Sequence, residues 1–385
     1  MVGAAQRVID STNTGAYCRA RAKLPEPALR QLACDLARNC EQRVRDEWRW
    51  KGRRVWLLDG TTLTAADTPK NQAEYPQQPQ QAPGLGFPIL RCVGLLSLAT
   101  GLLADFACGP YCGKETGEPA LFRQLWDCLQ PGDVLVADRA YCSYFLIVLC
   151  LARGIEVVFR LHQAREADFR RGRRLGPGDH LVAWSRPDRP DWMTPEEYAQ
   201  IPLTLTVREL SVTVHEAGFR TRSLVVVTSL LEAETYAHDD LAELYHRRWL
   251  IELDWRSIKV LLGMDQLRCQ SPEMLRREIR VCLLAYNLIR QTMLAAALAN
   301  DRSPRTLSFA AALQFLAAAW MQAATQPDHL SQLCQLYQQH LRCHPIGNRP
   351  HRLEPRAVKR RPKPHDLLTK PRAQARAELL ALHAS

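Results

Sequence analysis

The sequence predicts an α/β chain: a mixed β-sheet with flanking helices, interrupted by an all-β insertion, with helical additions at both ends. Three observations predict it. Between residues 51 and 162 the apolar runs follow the order strand, strand, strand, helix, strand, helix, strand, which favours an antiparallel meander with a parallel continuation. Between 163 and 237 short runs alternate with no helical period. From 238 onward apolar residues recur at helical spacing.

Residues 1–50 read as a helical N-terminal segment, with LPEPALRQLACDLARN entered through a proline. The first part of the core, 51–162, opens on RVWLLDGTTL, a strand ending in a turn with Asp59 at its end. Pro69 to Pro88 is rich in Gln and Pro and reads as an irregular, mobile loop. Ile89 to Leu98 and Leu102 to Cys108 are strands joined at Thr100-Gly101, a hairpin-type turn. A helix over Pro119 to Leu129 precedes a buried-type strand, Asp133 to Asp138, then a helix over Ser143 to Arg153 and a strand over Ile155 to Leu161. Right-handed crossovers allow the first and fourth strands to be neighbours, an arrangement in which Asp59 and Asp138 would approach each other.

The insertion, 163–237, starts with a basic loop (Arg165, Arg170, Arg171, Arg173, Arg174) and continues as HLVAW, LTLTVRELSVTV and RSLVVVTSL. The second part of the core, 238–300, is helical, as are 301–345, and 346–385 forms a basic tail.

The 385 residues carry a net charge of +11, which suggests a polyanionic partner. Ten Lys/Arg between Arg349 and Arg376 face only Glu354 and Asp366, so most of the excess lies in the tail. Such a Pro-punctuated stretch, including Lys359, Arg360, Arg361 and Lys363, suits salt-dependent phosphate binding. The 13 cysteines include no CxxC pair, and read as reduced, mostly buried thiols rather than zinc ligands or disulfides. The longest apolar run, Tyr144 to Ala152, is too short for a bilayer, and no signal segment opens the chain, so an intracellular protein is expected.

The segment Asp239 to Met264 carries most of the chemistry. Projected on a helix, Tyr245, Arg248, Glu252 and Lys259 fall within an arc of about 60°. Leu244, Ile251, Trp255, Ile258 and Leu262 form an apolar face beside that stripe. Two strand-end carboxylates and a third on a helix packed against them are what two divalent cations need for in-line displacement at phosphorus. Arg248 and Lys259 would neutralise phosphate charge. Asp67, Asp105 and Asp133 compete for the first two places, and Asp254 and Glu243 for the third.

These residues resemble a known family. Tyr245, Arg248, Glu252 and Lys259 match the Tyr-x2-Arg-x3-Glu-x6-Lys signature of bacterial insertion-sequence DDE transposases of the insertion sequence four group, which have a ribonuclease-H-like core. LLDGTT resembles the family's first Asp motif and LVADRAY its second, carrying over to Asp59 and Asp138. GFPILR, GFRTR, AYNLIR and EPRAVKRRPKP are also similar to family text.

The resemblance implies hydrolytic nicking at transposon ends, then attack by the freed 3′-hydroxyl and strand transfer. It implies Mg²⁺ (with Mn²⁺ substituting) held by Asp59, Asp138 and Glu252, and DNA contacts by Tyr245, Arg248 and Lys259. The partners would be double-stranded transposon ends and target DNA, bound by a synaptic homodimer in a bacterial cytoplasm, at the nucleoid. Some relatives stack an extruded base on a Trp of the β-insertion, for which Trp184 and Trp192 are the candidates, a structural role being the alternative. Related proteins usually carry a longer N-terminal DNA-binding region, so a shortened frame is expected here. Two other functions use the same residues: a metal-dependent nuclease on this fold, and a catalytically impaired or domesticated DNA-binding derivative. A two-carboxylate glycosidase leaves the Arg/Lys stripe and basic tail unexplained.

Overall fold

The computed structural model describes residues 15–213, 223–346 and 368–383. β1 (Val55–Thr64), β2 (Ile89–Ser97) and β3 (Leu103–Pro110) form an antiparallel meander. β4 (Val134–Ala137) lies parallel to β1, and β5 (Glu156–Arg160) parallel to β4. This is the ribonuclease-H-like arrangement. β6 (Arg173–Gly176), β7 (Asp179–Ser185), β8 (Thr204–Thr213) and β9 (Ser223–Thr228) are mutually antiparallel, and β9 also pairs with β5. The result is one nine-stranded sheet, in the order β3-β2-β1-β4-β5-β9-β8-β7-β6. The insertion therefore extends the core sheet.

Strand alternation divides the core between the two faces of this sheet. Val55, Leu57, Val134 and Val136 face one cluster, with Ile251, Trp255, Ile258 and the long helix α9 (defined below). Trp56, Leu58, Leu135 and Ala137 face the other, packed against the helices on either side of β4. Those are α4 (Glu118–Phe122), which runs on as a 3₁₀ turn to Cys128, and α5 (Tyr144–Leu151). In α5 (YFLIVLCL) six of eight residues are buried, as expected of a helix apolar all round, and Ser143 caps it by accepting from the Leu146 N–H.

The N-terminal helices are α1 (Gly15–Ala22) and α2 (Glu26–Glu41), and α3 (Pro69–Glu74) and α6 (Pro195–Ala199) lie in loops. The C-terminal half holds α7 (His238–His246), α8 (Leu250–Arg256), α9 (Pro272–Ala299), α10 (Phe309–Thr325), α11 (Leu330–Cys343) and α12 (Arg372–His383). By length and composition alone α9 could cross a membrane, which the apolar-run reading overlooked. However, Leu275, Ile279, Leu283, Tyr286, Ile289 and Met293 are buried at helical spacing within the core, which accounts for its apolarity.

Several local expectations are corrected. Asp59 lies within β1 rather than at its end, because β2 pairs with β1 as far as Thr64. The Gln/Pro segment begins as helix α3, capped by Thr68, and the Gln77 amide ties the following turn. Its Nε2 donates to the Gln81 and Ala82 carbonyls, and its Oε1 accepts from the Gly84 and Gly86 N–H groups. Four cysteines are buried (Cys40, Cys92, Cys142, Cys150) and four exposed (Cys18, Cys112, Cys334, Cys343), so the thiols are less buried than expected. The tail reading omitted α12, whose Arg372 pairs with Asp67 at 3.1 Å and lies 3.8 Å over the Phe87 ring.

Candidate active site

The β1–β4 register brings the first two acids together. Its last pair is Leu58 with Ala137, so Asp59 and Asp138 are the next residues along neighbouring strands. Asp138 caps a 3₁₀ turn over Arg139–Tyr141, its Oδ1 accepting from the Arg139 N–H at 2.6 Å. On its other side Asp59 is opposite Gly94 of β2. A side chain at Gly94 would collide with the Trp255 ring, so this glycine lets the Glu252 helix lie close to the strand.

That helical segment is not one uniform α-helix. Between α7 and α8 is a 3₁₀ turn, Arg247–Trp249, and after α8 a π-type turn, Ser257–Leu261. The projection at 100° per residue therefore drifts across the segment. Packing nevertheless keeps Leu244, Ile251, Trp255 and Ile258 buried, with Leu262 partly buried beside them. An Arg248 Nη2 reaches Glu252 Oε1 at 3.3 Å, and the guanidinium acts electrostatically on Asp59 and Asp138 as well. Tyr245 is buried beside it, and burial pushes its hydroxyl up to about 12. Lys259 Nζ donates to Thr61 Oγ1 at 3.2 Å and to the Thr62 carbonyl at 2.9 Å, anchoring the π-type turn to the far half of β1.

Burial pushes the Asp59 carboxyl up to about 7, against the pull of Arg248, while Glu118 and Glu252 push the same way. A carboxylate desolvated beside other acids calls for positive charge. The donors are all hard oxygens, as a divalent cation of the Mg²⁺ type prefers. Among the described residues no three acidic, His or Cys side chains close into a cage around an ion. A two-cation site does not need one, since phosphate oxygens and waters complete its coordination. The residues present fit the cation.

The rival acids are engaged elsewhere. Asp105 holds Arg30 and Arg280, Asp133 holds Arg54 and the Trp56 indole, and Asp67 holds Arg372. Glu243 is exposed, on α7. Asp254 is fully buried, 2.5 Å from Arg290 and 2.8 Å from Arg305. Sequence reasoning missed this last network. It also missed Glu118, whose carboxylate lies against Gly60; the only signal was an acid at a helix start upstream of the second Asp motif.

Trp184 is buried, donates Nε1 to Glu209 at 2.9 Å and is covered by Arg165, whose guanidinium carbon is 4.2 Å from the ring centre. Trp192 is half-buried, under Arg123 at 4.1 Å. Both rings are engaged in packing. Lys359, Arg360, Arg361, Lys363 and all of GFRTR lie outside the described residues.

The ribonuclease-H-like sheet thus carries Asp59 on β1 beside Asp138, just past the end of β4, with Glu252 on a helix laid across it. The chain belongs to the transposase DDE domain family, whose model matches residues 50–288. It is 27% identical over 250 residues to the transposase InsG for insertion sequence element IS4 of Escherichia coli strain K12, covering 64% of this chain and 54% of that protein. It is 41% identical over 66 residues to the transposase for insertion sequence element IS421 of Escherichia coli, covering 17% of this chain and 18% of that protein. The chain thus spans about half the length of the first of these relatives. A cryo-EM structure of the piggyBac transposase synaptic complex with hairpin DNA aligns with 74% of this chain and 57% of its own, at TM-score 0.42 and 9% identity.

Proposed function

We propose that this chain catalyses Mg²⁺-dependent cut-and-paste transposition of an insertion sequence. Transposon ends are nicked hydrolytically, and the freed 3′-hydroxyls are joined to target DNA by a homodimer in a bacterial cytoplasm. The observation that carries the reading is the juxtaposition of Asp59 and Asp138 just past the last β1–β4 pair, with Glu252 and Arg248 packed over them.

In this reading Asp59, Asp138 and Glu252 hold the cations. When bound, these supply a nucleophile at neutral pH and stabilise the leaving oxygen. Arg248 balances the acids before DNA arrives and then turns its planar guanidinium toward non-bridging phosphate oxygens. Lys259, tethered to Thr61 and Thr62, sets a second positive charge at the exit of β1. Tyr245 stays protonated at neutral pH, so its hydroxyl can donate to phosphate. Lys359, Arg360, Arg361 and Lys363 add sequence-independent backbone affinity.

Arg248→Ala is expected to slow cleavage by about 10²–10³-fold, through lost transition-state stabilisation, with only a few-fold loss of DNA affinity. Single-turnover cleavage alongside a binding titration checks this, and equal losses in both would make Arg248 a docking residue only. A strand-transfer assay tests the function as a whole. The 3′ ends joined to a second duplex support transposition, whereas free ends alone point to a nuclease on the same fold.

A further inference from the structure

The acids Asp59 and Asp138 are flanked by a group from the opposite face of the sheet. Glu118 opens α4, on the face away from the Glu252 helix, and its carboxylate rests against β1 at Gly60. A Cβ at Gly60 would stand 2.3 Å from both Cδ and Oε1 of Glu118. The strand is therefore bare at the one place where this carboxylate reaches the residue next to Asp59. Gly60 adopts ordinary strand geometry there, so its value lies in the missing side chain.

A second, independent observation comes from Tyr141, in the 3₁₀ turn that Asp138 caps. Its side chain is fully buried, and its hydroxyl has no partner of normal hydrogen-bond geometry, the Glu118 carboxylate being the side chain that faces it. Leaving a hydroxyl buried and unpaired costs about 1–3 kcal/mol, so such groups call for a polar neighbour. The charged groups acting on it most are acids: Glu118, Asp59 and Asp138. Three carboxylates around a buried hydroxyl, with Arg248 acting on two of them, suit a hydrated divalent cation.

We propose that Glu118 is a fourth carboxylate of the divalent-cation site, acting through the cation's bound waters from the α4 face of the sheet, with Tyr141 orienting it. Glu118 is thus a positioning residue, in keeping with outer carboxylates that hold ligated water and tune affinity. Gly60 is the structural condition for its reach. The proposal rests on the cation reading of Asp59, and the test separates the two.

Mn²⁺ binding to the full chain without DNA is measured by calorimetry, with thermal melts run in parallel. Wild type should bind Mn²⁺, and Asp59→Asn should lose that binding. Glu118→Gln should weaken it by about tenfold with an unchanged melt, at the lower end of effects typical of outer ligands. Tyr141→Phe should weaken it less. Gly60→Ala, which displaces the carboxylate, should mimic Glu118→Gln and add nothing to it in the double variant. If Glu118→Gln binds as wild type does while Asp59→Asn does not, Glu118 has no part in the site. An additive Gly60→Ala effect would also overturn the proposed role. No binding by wild type would remove the cation reading itself, and this proposal with it.

Discussion

Asp59→Asn is expected to abolish metal-dependent cleavage of a transposon end and, at the same time, to stabilise the metal-free chain at alkaline pH. The first effect follows from removing a charged oxygen donor shared by both cation positions. The second follows from linkage. Burial raises the Asp59 carboxyl from 3.8 to about 7, so the folded state retains its proton longer than the unfolded chain does. Stability therefore falls as pH rises from about 4 to about 7, and stays lower above that. Asparagine carries no charge to desolvate, so the variant lacks this loss, which is on the order of 1–4 kcal/mol at pH 8. Urea melts in EDTA at pH 5 and pH 8 check it: wild type should lose more stability between the two than the variant. Parallel losses would mean that Asp59 is solvated and its charge unstrained.

The second large effect is structural. Asp254→Ala should destabilise the fold by roughly 3–5 kcal/mol, the usual cost of breaking a buried ion pair by deleting one partner. Arg290 and Arg305 would be left as buried cations facing each other across the missing carboxylate. The same arginines connect distant parts of the chain. Arg305 donates to the Ser97 and Leu98 carbonyls, and Arg290 to the Tyr286 hydroxyl, which in turn donates to the Gly101 carbonyl. One carboxylate two residues from Glu252 thus fixes the acid's helix to the β2–β3 turn and to α9. Denaturant melts should show the loss, together with impaired cleavage by the surviving folded fraction. A change below about 1 kcal/mol would mean that both guanidiniums escape to solvent.

The contrast between Asp254 and Glu252 shows what was legible in the sequence. Both are acids in one helical segment, and spacing to Tyr245, Arg248 and Lys259 selected Glu252. Nothing local marked Asp254 as buried, because its arginine partners lie 36 and 51 residues away. The neighbourhood of Asp59 and Asp138 was readable because strand order and crossover handedness allow the first and fourth strands to adjoin, and they do. The length of β1 was not, since β2 continues pairing through GTTLT after β4 has ended. The helical stripe was readable as a set of neighbours, but its 3₁₀ and π-type turns were not; the π-type turn lies where Lys259 reaches β1, far away in the sequence. Glu118 was invisible for a similar reason: its relevance depends on the absence of a side chain at Gly60, in another strand.

The most direct test of the central claim is Mg²⁺-dependent cleavage of a duplex carrying the element's own terminal repeat, with Glu252→Gln measured beside the wild type. The account predicts a 3′-hydroxyl at the element's end with wild type plus Mg²⁺. It predicts none in EDTA and none with Glu252→Gln, although that variant still binds the duplex. Cleavage by Glu252→Gln at the wild-type rate would contradict it, because the third acid would then have no place in the chemistry.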